Sequence, residues 1–227
     1  MSTTTNAQTQ LFMLDNLDSF TYNLVDEFQI LGFKPLIYRN TLSAEFIFSQ
    51  MQQSAAQGKQ VLLVLSPGPG TPSHAGCLMA LIQLCAGVFP MLGICLGHQA
   101  LIEYYGGEVI RADEIVHGKA SNINHCNQGA FANISNPLPV ARYHSLVGSN
   151  LPNSLKVTAT LASQPNSELA NDMVMAIEHP QDAAIGMQFH PESILTTYGS
   201  TLLEQSINYL LTQPLMSAPI TQGVLND

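Results

Sequence analysis

The chain has 227 residues, enough to bury a sizeable core in one large α/β domain or two small ones. Hydrophobic residues make up 46% of it and charged residues only 10%, so much of the chain must be buried or face a partner. Seven Lys and Arg stand against 16 Asp and Glu, a net charge of −9, which excludes a basic stripe for nucleic acid or an anionic membrane.

Residues 1–10 are polar, uncharged and rich in threonine. They lack the basic-then-apolar order of a secretory signal and read as a flexible extension. Leu11-Phe12-Met13-Leu14 is a first strand, ending in Asp15. Phe20, Leu24, Phe28 and Leu31 follow at helical spacing, with Gly32 as a stop. Pro35-Leu36-Ile37-Tyr38 is a second short strand, and a helix spans about 43–52. Val61-Leu62-Leu63-Val64-Leu65 is apolar throughout, as expected of a parallel strand covered on both faces.

Residues 77–97 are apolar enough to suggest a membrane span, but Gln83, Gly87, Pro90, Gly93 and Gly97 interrupt them and no basic flank marks an end. The stretch divides better into a helix over 76–85 and a buried strand over 91–95. From about 108 to 178 the pattern changes to short alternating stretches punctuated by Asn, Pro and Gly, among them 156–161 and 173–177. These predict an antiparallel subsheet or hairpins added to the main sheet. A strand over 184–189 and an amphipathic helix over 201–211, marked by Leu203, Ile207 and Leu210, close the chain. The expected fold is an α/β domain over 11–212, an open, mostly parallel sheet with helices on both faces plus a small antiparallel subsheet. Residues 213–227 form a tail. Cys77, Cys85, Cys95 and Cys126 show no CxxC pair and no metal-like spacing with histidine, so they read as reduced thiols in a soluble, cytoplasmic protein.

Functional loops in such a sheet gather at the carboxyl ends of its strands. There lies Gly93-Ile94-Cys95-Leu96-Gly97-His98-Gln99, a cysteine between glycines, between a strand and a helix. This spacing suits a nucleophile elbow, whose tight turn needs bare backbone on either side. A small buried cysteine in a βα turn fits these seven residues equally well. A nucleophilic thiol needs a base, and among seven histidines His190 is the best placed. It ends a strand, Pro191 keeps it out of helical backbone, and Glu192 follows closely enough to orient its ring. His98 is expected to face solvent or cap a turn, and His144 to contact a ligand or support a strand. His74, His117, His125 and His179 read as surface or hydrogen-bonded structural residues. The loop Ser66-Pro67-Gly68-Pro69-Gly70 is stiffened by its prolines and offers bare N–H groups, which suits an oxyanion hole. It matches neither a Walker A loop nor GxGxxG.

Together these segments resemble a class I (triad-type) glutamine amidotransferase over nearly the whole chain. The resemblance implies Cys95 as nucleophile, His190 as base and acid, and Glu192 as orienting carboxylate. It places Gly68, Pro69 and Gly70 along the glutamine and oxyanion site, with the N–H of Leu96 as a further donor. Gln99, Ser145 and Leu146 match positions that hold the α-amino and α-carboxyl groups of glutamine. Asp15-Asn16-Leu17-Asp18-Ser19-Phe20-Thr21-Tyr22-Asn23-Leu24, His117-Gly118-Lys119 and Tyr143-His144-Ser145-Leu146 are similar to the chorismate-pathway members. These are the glutaminase subunits of anthranilate synthase and of aminodeoxychorismate synthase; the segments 141–149 and 192–197 look more like the former, with the latter, or one subunit serving both, as the alternative. The implied partner is a chorismate-binding synthase subunit (anthranilate synthase component I), which would carry the magnesium site; no cofactor is expected in this chain. A non-catalytic binding subunit with the same fold is the alternative from another class. Lys119 reads as a partner contact or switch element, or as an ordinary exposed lysine.

Overall fold

The structure is a computed structural model that describes residues 8–112, 118–162 and 173–215. In chain order it begins with β1 (Thr9–Asp15), α1 (Phe20–Ile30), β2 (Leu36–Arg39), α2 (Ala44–Ala56) and β3 (Gln60–Leu65). Next come α3 (Leu78–Cys85), β4 (Met91–Ile94), α4 (Leu96–Tyr104), β5 (Glu108–Arg111) and β6 (Lys119–His125). The remainder is β7 (Leu138–Arg142), β8 (Leu146–Ser149), β9 (Lys156–Leu161), β10 (Val174–His179), β11 (Ala184–Met187) and α5 (Gly199–Thr212).

Nine strands form one sheet in the order β2-β1-β3-β4-β11-β10-β9-β6-β7. The first five run parallel. From β10 onward the pairing is antiparallel. The antiparallel addition therefore extends the main sheet, and β5 and β8 form a separate antiparallel ribbon.

Alternation along each parallel strand explains the two-sided core. Leu11 and Met13 of β1 pack with Leu24 and Phe28 of α1 and with Leu203 and Ile207 of α5. Phe12 and Leu14 face the other way, toward Ile47 and Met51 of α2, Leu81 of α3 and Leu101 of α4. Because successive side chains point to opposite faces, a strand covered on both must be apolar at every position. Each such Leu or Phe, fully buried, stabilises by about 1.5–3 kcal/mol.

Several boundaries differ from expectation: the strand expected over 184–189 ends at Met187, and the helix expected over about 43–52 runs on to Ala56. Pairing starts at Thr9, within the segment read as an extension. The helix expected from 76 starts at Leu78, because a 3₁₀ turn at Pro72–His74 and a positive-φ Gly76 precede it. Cys95 lies beyond β4, in the turn itself. Among the described residues no helix is long and apolar enough to cross a membrane.

Candidate active site

β4 leads directly into Cys95, and α4 starts at the next residue. Cys95 has φ 51° and ψ −99°, a conformation an L-residue keeps only when its surroundings over-determine it. The two glycines supply those surroundings. A Cβ at Gly93 would lie 2.6 Å from the carbonyl of Gly97, and one at Gly97 would lie 2.4 Å from the carbonyl oxygen of Leu65. Only bare backbone lets α4 approach β4 and β3 this closely. The Cys95 N–H donates to the Met187 carbonyl at 2.8 Å, which ties the elbow to β11. The thiol stands at the head of α4, where free N–H groups and the helix dipole favour negative charge.

Just past the end of β11, His190 crosses to β7. Its N–H donates to the Ala141 carbonyl at 3.1 Å. Thr196 locks this crossing, donating through Oγ1 to the His190 carbonyl at 2.7 Å and accepting the Ala141 N–H at 3.0 Å. His190 Nδ1 and Glu192 Oε1 are 2.6 Å apart, and both side chains are buried. Phe20 and Tyr143 flank the ring, with centroids 5.1 and 5.2 Å away. With Nδ1 engaged by the carboxylate, Nε2 is left to face Cys95. Burial by itself lowers the imidazole pKa, but the neighbouring Cys95 and the Glu192 carboxylate outweigh it and raise the pKa to about 10.

The proline-glycine loop leaves the end of β3, and Asn16 anchors it. The Asn16 N–H donates to Ser66 Oγ and its Nδ2 to the Ser66 carbonyl, each at 2.9 Å. Asn40 in turn donates to Asn16 Oδ1 at 3.3 Å. Gly68 packs into the angle so formed: a Cβ there would lie 2.5 Å from Leu96 Cδ2 and 2.6 Å from Asn16 Cβ. The loop and Leu96 therefore meet at the elbow. Pro69 and Gly70 are exposed beyond that contact.

Gln99, one turn along α4 from Cys95, is buried and donates through Nε2 to the Leu146 carbonyl at 3.4 Å and to Gln188 Oε1 at 3.2 Å. Gln188 Nε2 in turn donates to Cys95 Sγ at 3.7 Å. The Leu146 carbonyl also accepts from His144 Nδ1 at 3.0 Å, and Arg142 Nε donates to His144 Nε2 at 3.2 Å. Burial, then the Arg142 charge, pushes the His144 imidazole down to about 4. Ser145, beside Leu146, is exposed. His98 neither faces solvent nor caps a turn. It is fully buried, packed against Gly186, and burial pushes its imidazole down to about 3. Away from the site, burial raises the Cys85 and Cys77 thiols. His74 bonds to Thr71, His125 to the Ser135 carbonyl, and His179 stacks on Tyr105, while His117 lies outside the described residues. Among the described residues no group of three or more His, Cys, Asp and Glu could hold a metal ion.

A thiol at a helix head, an imidazole facing it and a buried carboxylate bonded to the imidazole can together perform nucleophilic acyl transfer. The family model for class-I glutamine amidotransferases matches residues 12–209. The chain belongs to the class I glutamine amidotransferase family. Anthranilate synthase component 2 of Haemophilus influenzae is 48% identical over 203 residues, 89% of this chain and 98% of that protein. The protein of the same name from Vibrio parahaemolyticus is 48% identical over 201 residues, 88% and 96% of the two chains. That from Helicobacter pylori is 42% identical over 201 residues, 88% and 97%. Among solved structures, a glutamine amidotransferase from Thermotoga maritima gives a TM-score of 0.64 at 16% identity, covering 91% of this chain and 99% of that one. A GMP synthase component from Thermoplasma acidophilum gives 0.72 at 22% identity, covering 89% and 94%. At these identities the structures share the fold.

In this amidotransferase Cys95, Leu96, Gln99, Leu146, His190, Glu192 and Gly68 gather around the elbow. Lys119 is an exposed residue at the start of β6, in register with Arg142. Gln188, Thr196, Asn16, Phe20 and Tyr143 also belong to the site, although the sequence alone assigns them no role. Phe20 reads there as one more apolar position of a helix face, yet its ring packs on His190. Asn16 and Tyr143 lie inside family-like segments. For Gln188 the available signal is its place two residues before His190, inside the strand expected over 184–189.

Proposed function

We propose that this amidotransferase is the glutaminase subunit of an anthranilate synthase. The carrying observation is the Cys95, His190 and Glu192 arrangement in a chain 42–48% identical to proteins named anthranilate synthase component 2. Cys95 attacks the side-chain amide carbon of glutamine while its proton passes to His190. The oxyanion is met by N–H groups of the Gly68-Pro69-Gly70 loop and of Leu96, donors worth about 3–4 kcal/mol of barrier each. His190 gives its proton to the departing ammonia, which leaves a γ-glutamyl thioester. It then takes a proton from water, whose attack releases glutamate. Glu192 holds the ring for both transfers. Gln99 and the Ser145-Leu146 backbone face the amino-acid end of the substrate in this reading.

Ammonia released into water at neutral pH is protonated and lost as a nucleophile, so the product passes directly to a partner. That partner is the chorismate-binding component I, which holds the magnesium ion and converts chorismate to anthranilate and pyruvate in the cytoplasm. The relatives' names favour this assignment over the glutaminase of aminodeoxychorismate synthase. The intact thiol, imidazole and carboxylate disfavour a subunit that only binds. Reconstitution with the chorismate-binding component tests the assignment through the aromatic product made from glutamine and chorismate. Anthranilate supports it, and aminodeoxychorismate as the sole product contradicts it.

A further inference from the structure

Gln188 takes no part in the steps assigned to Cys95, His190 and Glu192, yet it is fully buried and its amide touches the sulfur of Cys95. The β4–β11 register explains why. Met187 pairs with Ile94, so the residues that follow, Gln188 and Cys95, leave the sheet together. Gln188 Nε2 lies 3.7 Å from Cys95 Sγ, and Oε1 lies 3.2 Å from Gln99 Nε2.

The oxygen and nitrogen of a side-chain amide have nearly the same shape, but here the neighbours decide which points where. Arg142 is a donor only, so the His144 Nε2 that it meets is the acceptor and the ring proton sits on Nδ1. That proton goes to the Leu146 carbonyl. A carbonyl only accepts, so Gln99 must present its NH2 group to it. The same NH2 faces Gln188, which answers with Oε1. The Gln188 N–H is thereby directed at the sulfur. The Leu146 carbonyl can only accept, so it sets the direction of the chain from Gln99 through Gln188 to the sulfur.

We propose that Gln188 is a catalytic residue that donates an N–H to the Cys95 sulfur and stabilises it as the thiolate once its proton has passed to His190. The proposal rests on the reading of Cys95 as nucleophile. A charged sulfur accepts this bond more strongly than a thiol, so the donor favours the ionised form. Away from bulk water such a bond is electrostatically stronger than it is in the open. The charged pair facing the sulfur is His190 with Glu192. His144, with Arg142 beside it, neighbours His190, and His98 of α4 neighbours His144.

Iodoacetamide alkylates the thiolate, so its rate against pH, followed by intact mass on the full chain, reads the ionisation of the reactive thiol. Cys95→Ser removes the fast reaction; a fast reaction that persists overturns the nucleophile reading itself, whatever Gln188 does. Gln188→Met and Gln188→Leu both remove the amide donor without adding charge. Each raises the alkylation midpoint by about one pH unit, roughly a tenfold loss of thiolate at neutral pH. Midpoints equal to wild type in natively folded variants overturn the proposal. The unaltered chain gives a second reading that needs no variant at Gln188. The Gln188 side-chain amide resonance shifts as Cys95 ionises, and the shift is lost in Cys95→Ser. A resonance that ignores this titration also overturns the proposal.

Discussion

At the scale of single residues, the site depends on groups held where they would not stay alone. A cysteine at φ 51° carries a backbone strain of about 1–3 kcal/mol, and glycines at 93 and 97 let the sheet and α4 impose it. Glu192 is buried, with Oε2 unpartnered among the described residues, so its charge is compensated chiefly through Oε1 and His190. Glu192→Gln keeps the shape but removes that charge. It should lower kcat for glutamine by about 10²–10⁴ with KM little changed, since it acts on proton transfer rather than on ground-state binding. Steady-state kinetics of the reconstituted complex would read this, and a wild-type kcat would remove Glu192 from the mechanism.

At the scale of elements, the fit of α4 against the sheet sets the elbow. Gly97→Ala puts a methyl carbon 2.4 Å from the Leu65 carbonyl oxygen, and backbone cannot swing away as a side-chain tip can. Overpacking of this kind costs about 1–3 kcal/mol even after the better helix propensity of alanine, which urea denaturation would detect. Unchanged stability would mean that α4 can shift without harm. The parallel half of the fold was legible in the sequence because burial on both faces writes itself as continuous apolar runs, as in Val61-Leu62-Leu63-Val64-Leu65. The β5–β8 ribbon was legible only as a region. Glu108–Arg111 is short and mostly exposed, so no hydrophobic period marks it. The elbow and the His-Pro-Glu segment could be read because their chemistry is local. Gln188 could not, since its contact with Cys95 follows from the pairing of β11 with β4, which no local pattern encodes. The burial of His98 depends likewise on Gly186 from a distant strand.

For the whole molecule, the buried histidines divide the pH axis. His98 and His144 have folded pKa values of about 3 and about 4, below the unfolded value near 6.5. The unfolded chain therefore binds protons first as pH falls, and stability present above pH 6.5 is lost below it, by about 1.4 kcal/mol per unit for each histidine. His190, raised to about 10, works in the opposite sense: its contribution is complete below about 6.5 and is lost as pH rises toward 10. Urea denaturation across pH should give maximal stability near pH 6.5. His144→Gln should flatten the acid limb, and an acid limb of unchanged slope would contradict the assignment. At this scale the proposed function gives Cys95 its purpose, as a source of ammonia for chemistry done on another protein. The most direct measurement compares Cys95→Ser with wild type in the reconstituted complex, supplied with chorismate and either glutamine or ammonia. Anthranilate formation from glutamine should disappear while formation from ammonia continues at the wild-type rate; glutamine-dependent synthesis that survives the substitution would contradict Cys95 as the nucleophile.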